Sequence, residues 1–458
     1  MTRWSLLCLL IFSSITNAQN WNPLNGSIGF HCRALYADSS SNYLYASGNF
    51  QIVDGLQIKC IAKWDGNDWD SVGNGLTDFA SNLVTFKSDL YACGAFSVIN
   101  KIEIKTIARW DGFTWDSLSI QPDILSSDFV ASVTADDSFL YVAGGFRSIG
   151  GISANSIATW DGAQWRSLNF PDLFPGSVSN TSTIVSACKF MNKLYVGGVF
   201  RSSPVDTIGH ILCYDGVNWT KLENGIRGNL SGIADMCVYK GELYVAGLFT
   251  KASGNYGNNI QKWNGYQWSD VNGGTFGMGG GNGQIHRLIV FHDQLYACGV
   301  FTTAGGIVAD KIAKYDGEKW CSLGSFFDNG IGNLAIYKDS LYVGGGFNTI
   351  DGDSIKYIAS WNGGTYVDTC NGLDWVENEE LQRSISIFPL PAETNIFVIS
   401  TSLKITQITI YNSVGEKLKI KIVNSGNSMI NLQDLVSGVY LFVIETDFGI
   451  ISRRFLKL

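Results

Sequence analysis

The stretch LYVGGGFNTIDGDSIKYIASWNG, residues 341–363, decides the fold, because the chain contains seven versions of it. The others begin at Leu44, Leu90, Leu140, Leu194, Leu243 and Leu295. The aromatic before the Asp-Gly or Asn-Gly pair lies 20 residues after the leading Leu in every copy, and the next aromatic follows after five more. A pair such as Asp65-Gly66 between two β-rich runs is a hairpin signal, since tight hairpin turns need positive φ. Upstream of each Leu-Tyr runs another apolar segment, such as NLVTFKSD from Asn82. Each copy therefore reads as four strands, A to D: the upstream run, the LYVGG run, the IAKWDG run and the WDSLG run.

Four-stranded units of this length, repeated seven times, predict an all-β protein: a seven-bladed β-propeller over residues 19–370. The recurring aromatics pack one unit on the next, and the glycines of strand B answer the crowding of an inner strand. WNPLNG at Trp21 matches the D strand at Trp69, while the last copy, TYVDTCNG from Thr365, lacks the tryptophan. The N-terminal strand is thus expected to complete the seventh blade.

The ends carry different signals. Arg3 and the apolar run Trp4–Ile15, followed by Thr16 and Ala18, read as a secretory signal peptide over residues 1–18. No later segment is long and apolar enough to predict a membrane span. Residues 371–384 are acidic and without alternation, as a linker is. From 385 to 458 the runs alternate with period two, predicting a small β-sandwich. The net charge is −8, and the segment 19–384 carries −11 without a basic cluster, which argues against nucleic acid as a partner. Ten cysteines without metal-binding spacing read mostly as buried thiols rather than a disulfide framework.

Variation between copies is concentrated between strand D and the next Leu, which is 21 residues from Trp69 but 29 from Trp165 and 27 from Trp268. Strand direction places the D–A and B–C loops at one end of the ring, and binding chemistry sits on variable loops held by a rigid scaffold. The candidate ligand-binding residues at that rim are His31, Asp235, His286 and Asn333. His31 and His286 are read as equivalent, each five residues before the aromatic that heads strand A. No metal or other cofactor is expected: the Asp351-Gly352-Asp353-Ser354 and Val53-Asp54-Gly55 runs supply too few oxygen ligands for calcium and read as turns. No nucleophile elbow, Ser/His/Asp set or HExxH motif is present, so the chain gives no argument for an enzyme. The expected partner is an extracellular polysaccharide or surface protein. The alternative is a secreted polymer-degrading or redox enzyme with its site at the channel mouth.

The repeat resembles the kelch-like propellers, in which a strand ending in Gly-Gly is followed by an aromatic-Asp turn and a Trp. The last segment resembles the C-terminal sorting domain of the type IX secretion system of Bacteroidetes-type bacteria, an Ig-like sandwich. Pro389, Pro391 and Ala392 match its opening Pro-x-Pro-Ala motif, Gly415 its central glycine, Gly438 and Tyr440 its Gly-x-Tyr motif, and Lys457 lies in its basic terminal strand. The resemblance implies recognition by the type IX machinery, passage across the outer membrane, and removal of this domain with release or surface attachment.

Overall fold

In the computed structural model the described residues are 21–24, 29, 31–361 and 385–458, apart from interior stretches of which the longest are 119–128, 172–181 and 201–208. The signal-peptide and linker readings therefore fall outside them. The fold is all-β; the single helical element among the described residues is the 3-10 turn Lys251–Ser253. Two compact units are present, divided near residue 371.

The first unit contains seven four-stranded antiparallel sheets. Their A strands are Cys32–Asp38, Ala80–Phe86, Phe129–Ala135, Ser182–Phe190, Gly232–Tyr239, Gln284–Phe291 and Ile331–Tyr337, which number sheets 1 to 7. In sheets 1 to 6 all four strands come from one repeat in sequence order. Sheet 7 takes its D strand from the other end of the unit: Trp21–Pro23 pairs with Ile358–Trp361.

The aromatics five residues apart face each other across the C–D hairpin. Trp64 and Trp69 lie 5.2 Å apart, Trp110 and Trp115 5.6 Å, and Tyr315 and Trp320 5.1 Å between ring centroids. In sheet 7 the place is filled by Trp21, 4.9 Å from Trp361. The D-strand tryptophan then reaches the preceding sheet. Trp115 Nε1 donates to the Val72 carbonyl at 2.9 Å, Trp219 to Leu168 at 2.8 Å, Trp320 to Val271 at 2.9 Å, and Trp21 to Ser325 Oγ at 3.0 Å. A two-faced sheet must bury both faces, and here each apolar cluster draws on two consecutive sheets. Tyr45 of sheet 1 packs with Leu83 and Trp115 of sheet 2, and Tyr337 and Tyr342 of sheet 7 pack with Leu35 and Trp69 of sheet 1. The order of packing is closed.

The second glycine of strand B is demanded by the backbone. A Cβ on Gly48, Gly198, Gly299 or Gly345 would lie 2.2, 1.9, 2.0 or 2.4 Å from a carbonyl oxygen at the start of strand A. The first glycine is not under the same pressure and is Ser47, Cys93 or Cys298 elsewhere. Among the described residues four B–C loops carry a two-residue β-ribbon, such as Ile52–Val53 with Leu56–Gln57 and Thr303–Ala304 with Ile307–Val308, while that of sheet 5 carries the 3-10 turn in the same length.

In the second unit, strands Ile385–Phe388, Asn395–Ser400 and Asn427–Asn431 form one sheet; Ile405–Asn412, Lys417–Ser425, Gly438–Thr446 and Gly449–Lys457 form another. Ile396, Val398 and Ile430 of the first meet Ile408, Phe442 and Phe455 of the second in one apolar core.

The glycine contact predicts a graded outcome. Gly299→Ala destabilises the first unit by about 2 kcal/mol or more, as overpacking against rigid backbone does. Gly332→Ala, whose added Cβ meets nothing closer than 3.8 Å, changes stability by no more than about 0.5 kcal/mol. Urea unfolding followed by tryptophan fluorescence distinguishes the two.

Candidate functional site

All seven A–B pairings shift register at one level of the A strand, leaving one residue bulged out: Arg33, Ser81, Ala131, Val185, Ala234, His286 and Gly332. A bulge re-aims the side chains around it. The residues that follow are Ala34, Asn82, Ser132, Ser186, Asp235, Arg287 and Asn333, polar in all but the first sheet. They form a belt on the inner strands near the end that carries the D–A and B–C loops.

Two of the four rim candidates, Asp235 and Asn333, belong to this belt and a third, His286, is the bulged residue beside it; each is bonded to a neighbouring sheet. Asp235 is held from both sides: Ser186 Oγ of sheet 4 lies 3.4 Å from Oδ1, and the Leu288 N–H of sheet 6 donates to Oδ2 at 2.9 Å. Its own neighbour Met236 donates N–H to Oδ1 at 2.9 Å, and Arg287 Nη1 lies 3.7 Å away. Burial pushes the Asp235 carboxyl above its ordinary range, and the Arg287 guanidinium and these hydrogen bonds offset part of that. His286 donates from Nδ1 to the Ile331 carbonyl of sheet 7 at 3.0 Å. Burial lowers its pKa, which favours the neutral ring. Asn333 Nδ2 donates to the Arg33 carbonyl of sheet 1 at 3.0 Å. The belt thus stitches sheets 4 to 5, 5 to 6, 6 to 7 and 7 to 1.

His31 lies elsewhere, just ahead of strand A of sheet 1, with its ring 5.7 Å from Tyr357 of sheet 7. The expected equivalence with His286 does not hold: the bulge residue of sheet 1 is Arg33, two positions further on. Tyr36 pairs with Tyr45, the place that Ile289 takes against Tyr296 in sheet 6, whereas Phe291 pairs with Gln294. The two aromatics therefore stand two residues apart along strand A, and counting back from them slips by two. Arg33, Ser186 and Arg287 were not singled out in the sequence; only strand pairing reveals their shared level.

Among the described residues no group of three His, Cys, Asp or Glu side chains is placed to hold a metal ion. Asp351 sits in a B–C turn with φ 53°, and its Oδ1 accepts the Phe326 N–H at 2.8 Å, which ties that turn to the preceding D–A connection.

The described residues read as sorting signals, distant in sequence, lie near one another in the second unit. Ala392 is fully buried and bridges to Lys457, with its N–H donating to the Leu456 carbonyl at 2.8 Å and its carbonyl accepting from Leu458 N–H at 2.9 Å. Gly438 pairs with the same Lys457, and Tyr440 pairs with Phe455 while its hydroxyl donates to the Val436 carbonyl at 2.7 Å. Pro389 and Pro391 lead into Ala392; Gly415 lies outside the described residues.

Because the folded Asp235 binds its proton more tightly than the unfolded one, this group's effect on stability declines as pH rises from the ordinary carboxylate range through its raised value. Asp235→Asn keeps an acceptor for one of the two backbone N–H groups and removes that titration. The variant's urea midpoint, relative to the parent's, is therefore expected to be higher at pH 7 than at pH 4.

Residues 386–457 match the family described as the secretion system C-terminal sorting domain. No curated protein is significantly similar to the chain. Among solved structures, PorZ, an essential bacterial surface component of the type IX secretion system of Porphyromonas gingivalis, is 14% identical with a TM-score of 0.46, over 93% of this chain and 59% of that one. The extracellular domain of the hybrid two-component system BT4673 of B. thetaiotaomicron is 11% identical with a TM-score of 0.47, over 96% and 59%. The Niastella koreensis GH74 enzyme is 15% identical with a TM-score of 0.45, over 72% and 53%. The chain spans about three fifths of the length of the first two of these structures. No helix among the described residues is long and apolar enough to cross a membrane. The C-terminal unit is a type IX secretion sorting tail, which marks the chain for export to the cell surface or beyond it.

Proposed function

We propose that the chain is an exported binding protein: a kelch-like, seven-bladed β-propeller over residues 19–370, delivered by the Ig-like sorting sandwich at 385–458 after loss of a signal peptide at 1–18. The propeller is an adhesion or binding module for an extracellular polysaccharide or surface protein. Its site is the end of the ring that carries the D–A and B–C loops, with His31, Asp235, His286 and Asn333 in or beside its floor. The observation that carries this reading is the joining of a sorting tail to a closed circle of sheets whose D–A connections vary most in length. A closed ring holds such loops at fixed separations, so that a ligand does not have to organise them on binding. Residues 371–384 serve as the linker to the sorting unit.

Two measurements on the full chain test it. Removing residues 449–458 takes away the strand that Ala392 and Gly438 pair with. In the producing bacterium this variant is expected to stay within the cell envelope, and undiminished extracellular protein would overturn the sorting role. The intact protein is expected to be retained on one or more immobilised polysaccharides without cleaving them, and shortening the 273–286 segment is expected to abolish retention. Release of sugar fragments would instead make the loop end a catalytic site.

A further inference from the structure

The opposite end of the ring carries the A–B and C–D turns, and the C–D turns there share a fixed construction. In Asp111-Gly112-Phe113-Thr114, the Asp111 carboxylate accepts the N–H of Phe113 at 2.8 Å and of Thr114 at 2.7 Å, and Gly112 takes φ 97°. The turns at Asp161, Asp215 and Asn264 repeat this. The side chain of the third residue has no part in the turn and no core to pack on, so folding leaves its identity open.

In four consecutive sheets that residue is apolar. Phe113 of sheet 2 is 87% exposed, Val217 of sheet 4 78% and Tyr266 of sheet 5 82%, with exposed Ala163 between them in sheet 3. The fourth residue is Thr114, Gln164, Asn218 or Gln267, a neutral hydrogen-bonding group each time. Outside this arc the same positions are Asn67-Asp68 and Glu318-Lys319. Isolated exposed apolar residues are ordinary on a protein surface, but a run of them at one structural position is not.

A second substitution falls in the same arc. Lys87, Lys240 and Lys338 open the A–B turns of sheets 2, 5 and 7, and each lies over the turn glycine of the next sheet and donates to the carbonyl of Asp161, Asp316 or Asp65. In sheet 4 the residue is Met191, half exposed, with its sulfur over Gly265. A clamp that gives a hydrogen bond is replaced by an apolar surface beside the Val217 and Tyr266 turns. The carboxylates beneath the tips are turned inward to backbone N–H groups, and beneath Tyr266 the group is the uncharged Asn264.

The geometry points to the arc Phe113–Val217–Met191–Tyr266 as a binding surface for a neutral polysaccharide, laid across the turn tips of sheets 2 to 5. Pyranose rings offer apolar C–H faces to aromatic and aliphatic side chains and hydroxyls to Thr114, Asn218 and Gln267. A repeating polymer also matches contacts that repeat from sheet to sheet. The turns are rigid before the ligand arrives, so little ordering entropy is lost. This inference rests on the polysaccharide-binding reading and adds a second contact surface for the polymer, at the other end of the ring.

The test is isothermal titration of the full chain with cellohexaose, xylohexaose and mannohexaose, and with hexagalacturonate as a charged comparison. A neutral hexaose is expected to bind, and Phe113→Asn and Tyr266→Asn each to weaken it about tenfold, the scale of one lost aromatic contact. Asn already occupies this place in sheet 1, so unchanged melting curves are expected. Met191→Lys is expected to weaken binding while holding or raising the melting temperature, which a merely structural role would not do. If a neutral hexaose binds, the tip variants keep full affinity and shortening 273–286 abolishes it, the arc is overturned while the loop-end reading stands. Binding of no neutral hexaose, or tip-dependent self-association of the full chain in light scattering, overturns the arc as a sugar site.

Discussion

A sheet with two apolar faces is insoluble alone, and a row of such sheets only moves the problem to its ends. The contact that removes it here is between Trp21 and Trp361. The strand Trp21–Pro23 completes sheet 7, and sheet 7 in turn covers sheet 1 through Tyr337, Tyr342 and Leu35. Residues more than three hundred positions apart thus make the same aromatic pair that Trp64 and Trp69 make within one hairpin. Every other sheet inherits its burial from this closure, because each packs on both neighbours.

Closure also explains which positions of the repeat are fixed. The second B-strand glycine is constrained by a carbonyl oxygen, the C–D glycine by positive φ, and the paired aromatics by the cross-strand contact. None of these depends on what the protein binds. What the backbone leaves open is the third residue of each C–D turn and the length of each D–A connection. These freely varying parts of the repeat lie at the two ends of the strands.

Much of this was legible in the sequence for the same reason. A backbone demand at a fixed place recurs at a fixed spacing, so the strands, the hairpins and the closing N-terminal strand could be read by counting. The belt of polar inner residues could not. Its level is set by a bulge, and bulges follow strand pairing rather than residue type. Counting from Tyr36 placed His31 opposite His286, whereas pairing makes Tyr36 the equivalent of Ile289 rather than Phe291 and puts Arg33 there. Asp235 and Asn333 were found as polar residues near the rim, but their partners Arg287, Ser186 and the Arg33 carbonyl lie on other sheets. The lysine clamps were missed likewise, since Lys87 and Asp161 are joined only by the packing of sheet 2 on sheet 3.

Export exposes free thiols to oxidation and mispairing, and this chain carries ten cysteines. Among the described residues, the free cysteines Cys32, Cys93, Cys188 and Cys237 are placed where that chemistry is suppressed. Cys32 and Cys93 are buried between sheets, and loss of solvent pushes both thiols up to about 12. Cys188 and Cys237 take equivalent places on adjacent inner strands, where burial again raises each to about 12. A thiol held so far above neutral pH supplies almost no thiolate, the species that attacks disulfides and metals. Cys321 is the exception and is disulfide-bonded. The free cysteines act as small apolar side chains under the same constraint as the glycines and alanines around them. Packing between sheets is what holds this unit together, with the disulfide at Cys321 as an added cross-link.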